Sequence, residues 1–158
     1  MSNYAKINPV DIANGEGIRV SIFFSGCSHR CYNCFNSELW DFHYGVPFTQ
    51  ETIDTVIELM KPDYIKGLSI LGGEPFDNMN AVEDLVVSVK SKYPDKDIWI
   101  WTGYNFYDIT NPFVLDNIDV VVDGRYEADK RDFTLKWRGS SNQTIWRKMN
   151  GQWTVDTK

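Results

Sequence analysis

Ile18-Arg19-Val20-Ser21-Ile22-Phe23-Phe24-Ser25-Gly26-Cys27-Ser28-His29-Arg30-Cys31-Tyr32-Asn33-Cys34 is the stretch on which the fold turns. Its first eight residues are dense in β-branched and aromatic side chains and close on Gly26, the composition of a strand that stops at a turn. The turn then carries Cys27, Cys31 and Cys34, and no other cysteine occurs in the 158 residues. The spacing C-x3-C-x2-C holds three thiolates on one tight loop. An iron–sulfur cluster takes its corners from cysteine thiolates, and a cubane held by three keeps one iron free for another ligand. An open coordination position separates a metal site that does chemistry from a closed structural one.

Downstream of this stretch the chain alternates between helical and strand patterns. Residues 49–61 predict a helix with Thr49 as N-cap, because Ile53, Val56, Ile57 and Met60 recur at i, i+3, i+4 and i+7. Residues 67–71 predict a short buried strand ending in Gly72-Gly73. Asp77 or Asn78 is the expected cap of a second helix, in which Val82, Leu85, Val86 and Val89 repeat the helical spacing up to Lys92. Residues 98–102 predict a third strand ending at Gly103. A weaker helical stretch over 106–117 is interrupted by Pro112, and 118–122 predict a fourth strand running into Asp123-Gly124. A loop and two terminal strands, 143–147 and 152–155, complete the expectation.

Strand–helix–strand alternation predicts βαβ units and a mainly parallel sheet with right-handed crossovers. Ligands of such sheets gather beyond the carboxyl ends of the strands. The cysteine loop, Gly72-Gly73, Gly103 and Asp123-Gly124 all fall at those ends, so four sequence-distant features are expected on one rim.

Composition narrows the function classes. With 42% hydrophobic, 24% charged and 15% aromatic residues, the chain reads as one ordinary globular domain over 1–158. No apolar run approaches the roughly 20 residues that cross a bilayer, and the polar start lacks the order of a secretory signal. A net charge of −6 argues against nucleic acid as a partner. Three cysteines packed this densely are not a disulfide framework, so a reducing, cytoplasmic setting is expected.

Two plainer readings of the cysteines stand beside the cluster. One is structural zinc with His29 or His43 as fourth ligand, although such sites usually pair their ligands in two knuckles. The other is three buried free thiols. Gly72-Gly73-Glu74-Pro75 is likewise ambiguous alone: paired glycines admit a ligand close to the backbone, but they also make a tight exit from a strand.

Taken together, the C-x3-C-x2-C loop after one strand and the Gly72-Gly73-Glu74-Pro75 turn after the next resemble the radical S-adenosylmethionine (SAM) superfamily. The resemblance implies an incomplete, open parallel βα barrel. It implies a [4Fe–4S] cluster on Cys27, Cys31 and Cys34, with SAM chelating the unligated iron and the glycine-rich turn (Gly72, Gly73, Glu74, Pro75) meeting its amino group. The chemistry of such a site is the cofactors' own, while the protein supplies position and electrostatics. Many members carry an aromatic residue immediately before the third cysteine; Asn33 stands there instead. Adenine contacts are then expected from Asn33, Cys34 and Phe35, and Asn36 is a SAM-contact candidate through the match of Cys34-Phe35-Asn36 to a C-aromatic-N continuation.

Further blocks resemble the glycyl-radical-enzyme activases. They are Val10-Asp11-Ile12-Ala13-Asn14-Gly15-Glu16-Gly17 before the first strand (often with proline at Glu16), Trp101-Thr102-Gly103-Tyr104, Asp123-Gly124-Arg125-Tyr126 and Arg138-Gly139-Ser140-Ser141-Asn142-Gln143. Within that group the likeness is to the small activating proteins of anaerobic ribonucleoside-triphosphate reductases. It implies that a 5′-deoxyadenosyl radical takes hydrogen from one glycine of the large reductase subunit, with a flavodoxin-type protein as electron donor. Other readings are an activase of the pyruvate formate-lyase type, a deazapurine-synthase-like enzyme, or a non-enzymatic zinc or iron–sulfur module. Trp101 has two readings, packing or lining the SAM pocket. Asp123 either caps its turn or meets a ribose hydroxyl. The block from Arg138 to Gln143 either organises its loop or docks the reductase.

Overall fold

The computed structural model describes residues 2–34 and 37–156. Eight strands form one mixed sheet: β1 (Asn3–Asp11), β2 (Ile18–Phe24), β3 (Val46–Pro47), β4 (Ile65–Gly72), β5 (Asp97–Trp101), β6 (Val120–Asp123), β7 (Thr144–Met149) and β8 (Gln152–Val155). Their spatial order is β3-β1-β2-β4-β5-β6-β7-β8. The middle four, β2, β4, β5 and β6, run parallel. Both flanks are antiparallel, β1 and β3 on one side and β7 and β8 on the other. The parallel sheet expected from the βαβ pattern is therefore the central half of a mixed one.

The parallel joins run through helices α1 (Gln50–Leu59), α2 (Met79–Lys92) and α3 (Pro112–Asn117). Alternation along each strand sorts the residues onto two faces. Val20, Ile22 and Phe24 of β2, Leu68 and Ile70 of β4, Ile98 and Ile100 of β5 and Val121 of β6 form one core with helix residues Ile53, Val56, Val82, Leu85, Val86 and Val89. Taking each such side chain fully out of water contributes about 1.5–3 kcal/mol. The opposite face carries Arg19, Ser21, Ser69 and Trp99, all buried. There Arg19 donates to Ser69 Oγ at 2.6 Å and to the Leu68 carbonyl at 2.9 Å, pairs with Asp97 at 2.6 Å, and lies over the Trp99 ring. A buried guanidinium is tolerable because its donors are spent in this way.

Three local expectations are corrected. Residues 106–117 are not one helix: a 3-10 turn at Phe106–Asp108 precedes α3, whose first residue is Pro112. Proline suits that position because its missing N–H would have no helical partner, and Asn111 caps the helix by accepting from Val114 N at 3.1 Å. Neither Asp77 nor Asn78 caps α2 with its side chain; Asn78 occupies the N-cap position with its amide turned elsewhere. Residues 18–25 are not the first strand: Asn3–Asp11 forms β1 ahead of them, with register shifts at Tyr4/Lys6 and Asn8/Asp11. Polar edge pairing of that kind leaves no clean alternation to detect.

Candidate functional site

The carboxyl ends of the parallel strands meet around a cavity of about 390 Å³. Cys27, Cys31 and Cys34 line it together with Gly72, Gly73 and Glu74 at the end of β4, Trp101, Thr102 and Gly103 at the end of β5, and Gly124 after β6. None of the three cysteines is in a disulfide; Cys27 is buried and the other two are half-buried. Burial pushes the Cys27 thiol up, opposed by main-chain N–H donors from His29 and Arg30. Burial also pushes the Cys31 thiol up, opposed by the Tyr126 amide and the nearby Arg125 charge. Amide N–H groups aimed at cysteine sulfur are what a cluster thiolate requires, since they stabilise and tune it. The donor set therefore fits an iron–sulfur cluster.

The zinc reading lacks its fourth ligand. His29 Nε2 is bonded to Glu74 at 2.7 Å, and His43 is an exposed side chain beside Asp41. Among the described residues no group of three or more His, Cys, Asp or Glu side chains converges to hold a single ion. A cubane spreads its iron corners through space, so its cysteines need no such convergence.

The chain turns at Asn33, whose backbone is left-handed (φ 54°), and Cys34 N donates to Cys31 O at 3.1 Å across that turn. Asparagine tolerates this conformation better than most residues. Asn33 is exposed and does not line the cavity. Phe35 and Asn36 lie outside the described residues. Pro75 is buried and begins a 3-10 turn, Pro75–Asn78, off the cavity wall.

Gly72 and Gly73 are required by the chain itself. A Cβ on Gly72 (φ +144°) would lie 2.3 Å from the Phe24 carbonyl oxygen, and one on Gly73 would lie 2.5 Å from that of Gly26. The strand end thus presses against β2 and the root of the cysteine loop, and Glu74 N donates to Gly26 O at 2.7 Å. The Glu74 side chain is fully buried. Its carboxylate accepts from His29 Nε2, from Thr102 Oγ1 at 2.7 Å, from Gly103 N at 2.6 Å and from Phe76 N at 3.0 Å. Four donors answer the requirement that a buried carboxylate be satisfied.

The two side chains expected to cap α2 hold the cysteine loop instead. Asn78 Nδ2 donates to the Ser25 and Glu74 carbonyls, each at 3.1 Å. Asp77 accepts from Ser28 N at 2.9 Å and Ser28 Oγ at 2.8 Å, and from the Tyr104 hydroxyl. Asp11 does similar work upstream. It accepts from Ala13 N at 2.7 Å and Asn14 Nδ2 at 2.8 Å, folding Ala13 and Asn14 back onto the cavity wall. Motif spacing did not reveal these roles; the recurrence of Asp and Asn at strand-end turns was the available signal.

On the far side, the stretch 124–143 walls the cavity with Tyr126, Trp137, Arg138, Gly139 and Gln143. Gln143 fastens it: Oε1 accepts from Gly139 N at 2.7 Å, and Nε2 donates to Gly124 O at 2.9 Å. Asn142 Nδ2 donates to Arg125 O at 2.8 Å, and Arg138 Nη1 to Gln143 O at 3.1 Å. The block from Arg138 to Gln143 thus organises its own loop. Asp123 is buried off the cavity, raised in pKa by that burial while accepting from Phe106 N at 2.6 Å. Trp101 both lines the cavity and stacks on Trp99.

Residues 13–146 match the family described as 4Fe-4S single cluster domain. An anaerobic ribonucleoside-triphosphate reductase-activating protein of Enterobacteria phage T4 is 41% identical over 156 residues, covering 98% of this chain and 99% of the relative. The protein of the same description from Vibrio cholerae is 44% identical over 92% of this chain and 97% of its own. That from Escherichia coli K12 is 41% identical over 90% and 97%. With the three cysteines and the strand ends gathered at one cavity, the chain belongs to the anaerobic ribonucleoside-triphosphate reductase-activating proteins, a family built on a single-cluster 4Fe-4S domain.

Proposed function

We propose that this chain activates an anaerobic ribonucleoside-triphosphate reductase. Cys27, Cys31 and Cys34 would hold a [4Fe–4S] cluster, and the cavity running from them to Gly72, Gly73, Thr102 and Gly124 would receive SAM. Bound there and reduced by one electron from a donor protein, cluster and SAM would supply methionine and a 5′-deoxyadenosyl radical able to take hydrogen from a glycine α-carbon. One observation carries the reading: the three cysteines share a single cavity with the carboxyl-end turns of all four parallel strands.

The chain's own part is binding, orientation and exclusion of water. Leu71, Trp101, Val122 and Trp137 give apolar wall, against which a nucleoside and a reactive carbon can be kept from solvent. Asn14, Thr102 and Gln143 add hydrogen-bonding groups. Among the described residues Arg138 is the one arginine or lysine lining the cavity, a suitable partner for a carboxylate. Of the contacts expected from the motif, Cys34, Gly72, Gly73 and Glu74 stand at the wall. Asn33, Phe35, Asn36 and Pro75 remain assignments by resemblance.

The four parallel strands, flanked by antiparallel pairs, are consistent with an incomplete barrel whose open side admits a loop of the large reductase subunit. The whole chain, 1–158, would act as one domain in the cytoplasm, served by a flavodoxin-type electron donor. Among the described residues no helix is long and apolar enough to cross a membrane.

The test is anaerobic reconstitution with iron and sulfide, followed by SAM, a reductant and the reductase. 5′-Deoxyadenosine together with a glycyl radical signal in the reductase is the expected result. Deoxyadenosine without a protein radical would remove the partner, and neither product would remove the reading.

A further inference from the structure

His29 sits between the first two cysteines and lines the same cavity as they do. Its side chain is 4% exposed, and Nε2 meets Glu74 Oε1 at 2.7 Å. The same carboxylate oxygen accepts from Gly103 N at 2.6 Å. The ring also packs edge-on against Tyr104, with centroids 4.5 Å apart. Gly103 leaves it room: a Cβ there would lie 2.6 Å from His29 Cδ2. Three strand-end turns, after β2, β4 and β5, are therefore joined through one imidazole and one carboxylate. A buried bond of this kind has two discrete states, made or lost, because the tight packing around it leaves little room for intermediate positions.

From this geometry we propose that His29 is a positioning residue: its Nε2 bond to Glu74 fixes the cysteine loop against the Gly73 turn, and so fixes the cluster relative to the SAM cavity. The inference rests on the reading of this cavity as a cluster and SAM site. Ser28 adds a second tie through Asp77, but that residue is on the exposed side of the loop. His29 is the tie that reaches the interior. Loss of its bond frees the segment between Cys27 and Cys31 without removing any of the three thiols. A cluster could still assemble on the three cysteines, but the loop that would hold it would no longer be fixed against the Gly73 turn.

Three proteins decide it: the unmodified chain, His29→Ala and His29→Gln. A glutamine amide nitrogen reaches the position of Nε2 and donates to Glu74. Should His29→Ala not fold, His29→Asn, one carbon too short to reach Glu74, replaces it. The first measurement is the alkylation rate of buried Cys27 in the cluster-free chain, alongside the thermal midpoint. The second is a titration of the reconstituted, reduced protein with SAM, read by the change in the cluster's paramagnetic resonance spectrum.

His29→Ala is expected to alkylate Cys27 at least about tenfold faster and to need about tenfold more SAM, the scale of one lost charge-assisted hydrogen bond. His29→Gln should recover most of both. Unchanged alkylation and SAM titration in His29→Ala would overturn the proposal. So would a His29→Gln protein as defective as His29→Ala. A reconstituted wild-type protein that ignores SAM would instead count against the cavity's assignment, and the alkylation contrast would still judge the clamp.

Discussion

Trp101 Nε1 donates to the main-chain oxygen of Trp137 at 2.7 Å, fastening the end of β5 to the stretch that walls the far side of the cavity. Trp137 also meets the Trp99 ring edge-on, with centroids 4.9 Å apart, so the bond and this contact together help set the cavity's width. Trp101→Phe keeps most of the packing on Trp99 and removes the donor. It should cost about 0.5–1.5 kcal/mol in denaturant unfolding, with a larger KM for SAM than the modest stability loss would suggest. An unchanged KM would show that the far wall holds its place without Trp101.

Glu74 accepts from four donors while fully buried. Glu74→Gln puts an NH2 group where one oxygen now accepts, leaving at least one buried donor unsatisfied. A loss of about 1–3 kcal/mol is expected in urea unfolding of the cluster-free chain. A variant as stable as wild type would contradict the hub role.

Glycine positions separate steric from conformational need. Gly72→Ala drives a Cβ to 2.3 Å from Phe24 O at a φ of +144° and should leave little folded protein. Gly151, in the turn between β7 and β8, has φ +78° and nothing within 4 Å of an added Cβ. Gly151→Ala should therefore fold, at a cost of about 1 kcal/mol from backbone strain alone. Far-ultraviolet circular dichroism and urea midpoints compare the two.

Two buried carboxyls should move stability with pH in opposite senses. Burial works against ionisation of Asp11, but Ser21, Asn14 and two main-chain amides outweigh it and hold the carboxyl below the ordinary 3.8. Its contribution is present above that value and lost as pH falls through the lowered one. Burial raises Asp123 above 3.8, with Phe106 N only partly offsetting it. Its contribution is present below the ordinary value and lost as pH rises through the raised one. At neutral pH Asp11→Asn should destabilise the cluster-free chain and Asp123→Asn should stabilise it. Both differences should shrink at about pH 3, near the ordinary carboxylate range.

The central fold was legible because helical spacing and buried faces coincide: Val82, Leu85, Val86 and Val89 are all fully buried. The cavity was legible at its cysteines and at Gly72 and Gly73, which stand where a strand-to-helix turn must. The reason for those glycines was not, because the Phe24 and Gly26 oxygens that exclude a Cβ come from β2 and the loop after it, more than forty residues earlier. Asp77 and Asn78 have the pattern of helix caps for the same cause: local patterns cannot show that a loop 49 and 53 residues earlier claims the two side chains. His29 was read beside its cysteine neighbours, and its actual partner, Glu74, is forty-five residues away.

The most direct measurement is 5′-deoxyadenosine formed from SAM by the anaerobically reconstituted, reduced chain, with iron and sulfide content taken on the same sample. About four irons and four sulfides per chain and steady deoxyadenosine formation are expected. Cleavage should be lost when Cys27, Cys31 or Cys34 is singly replaced by alanine. One zinc with no sulfide, or a cysteine variant that still cleaves SAM, would contradict the assignment of this cavity.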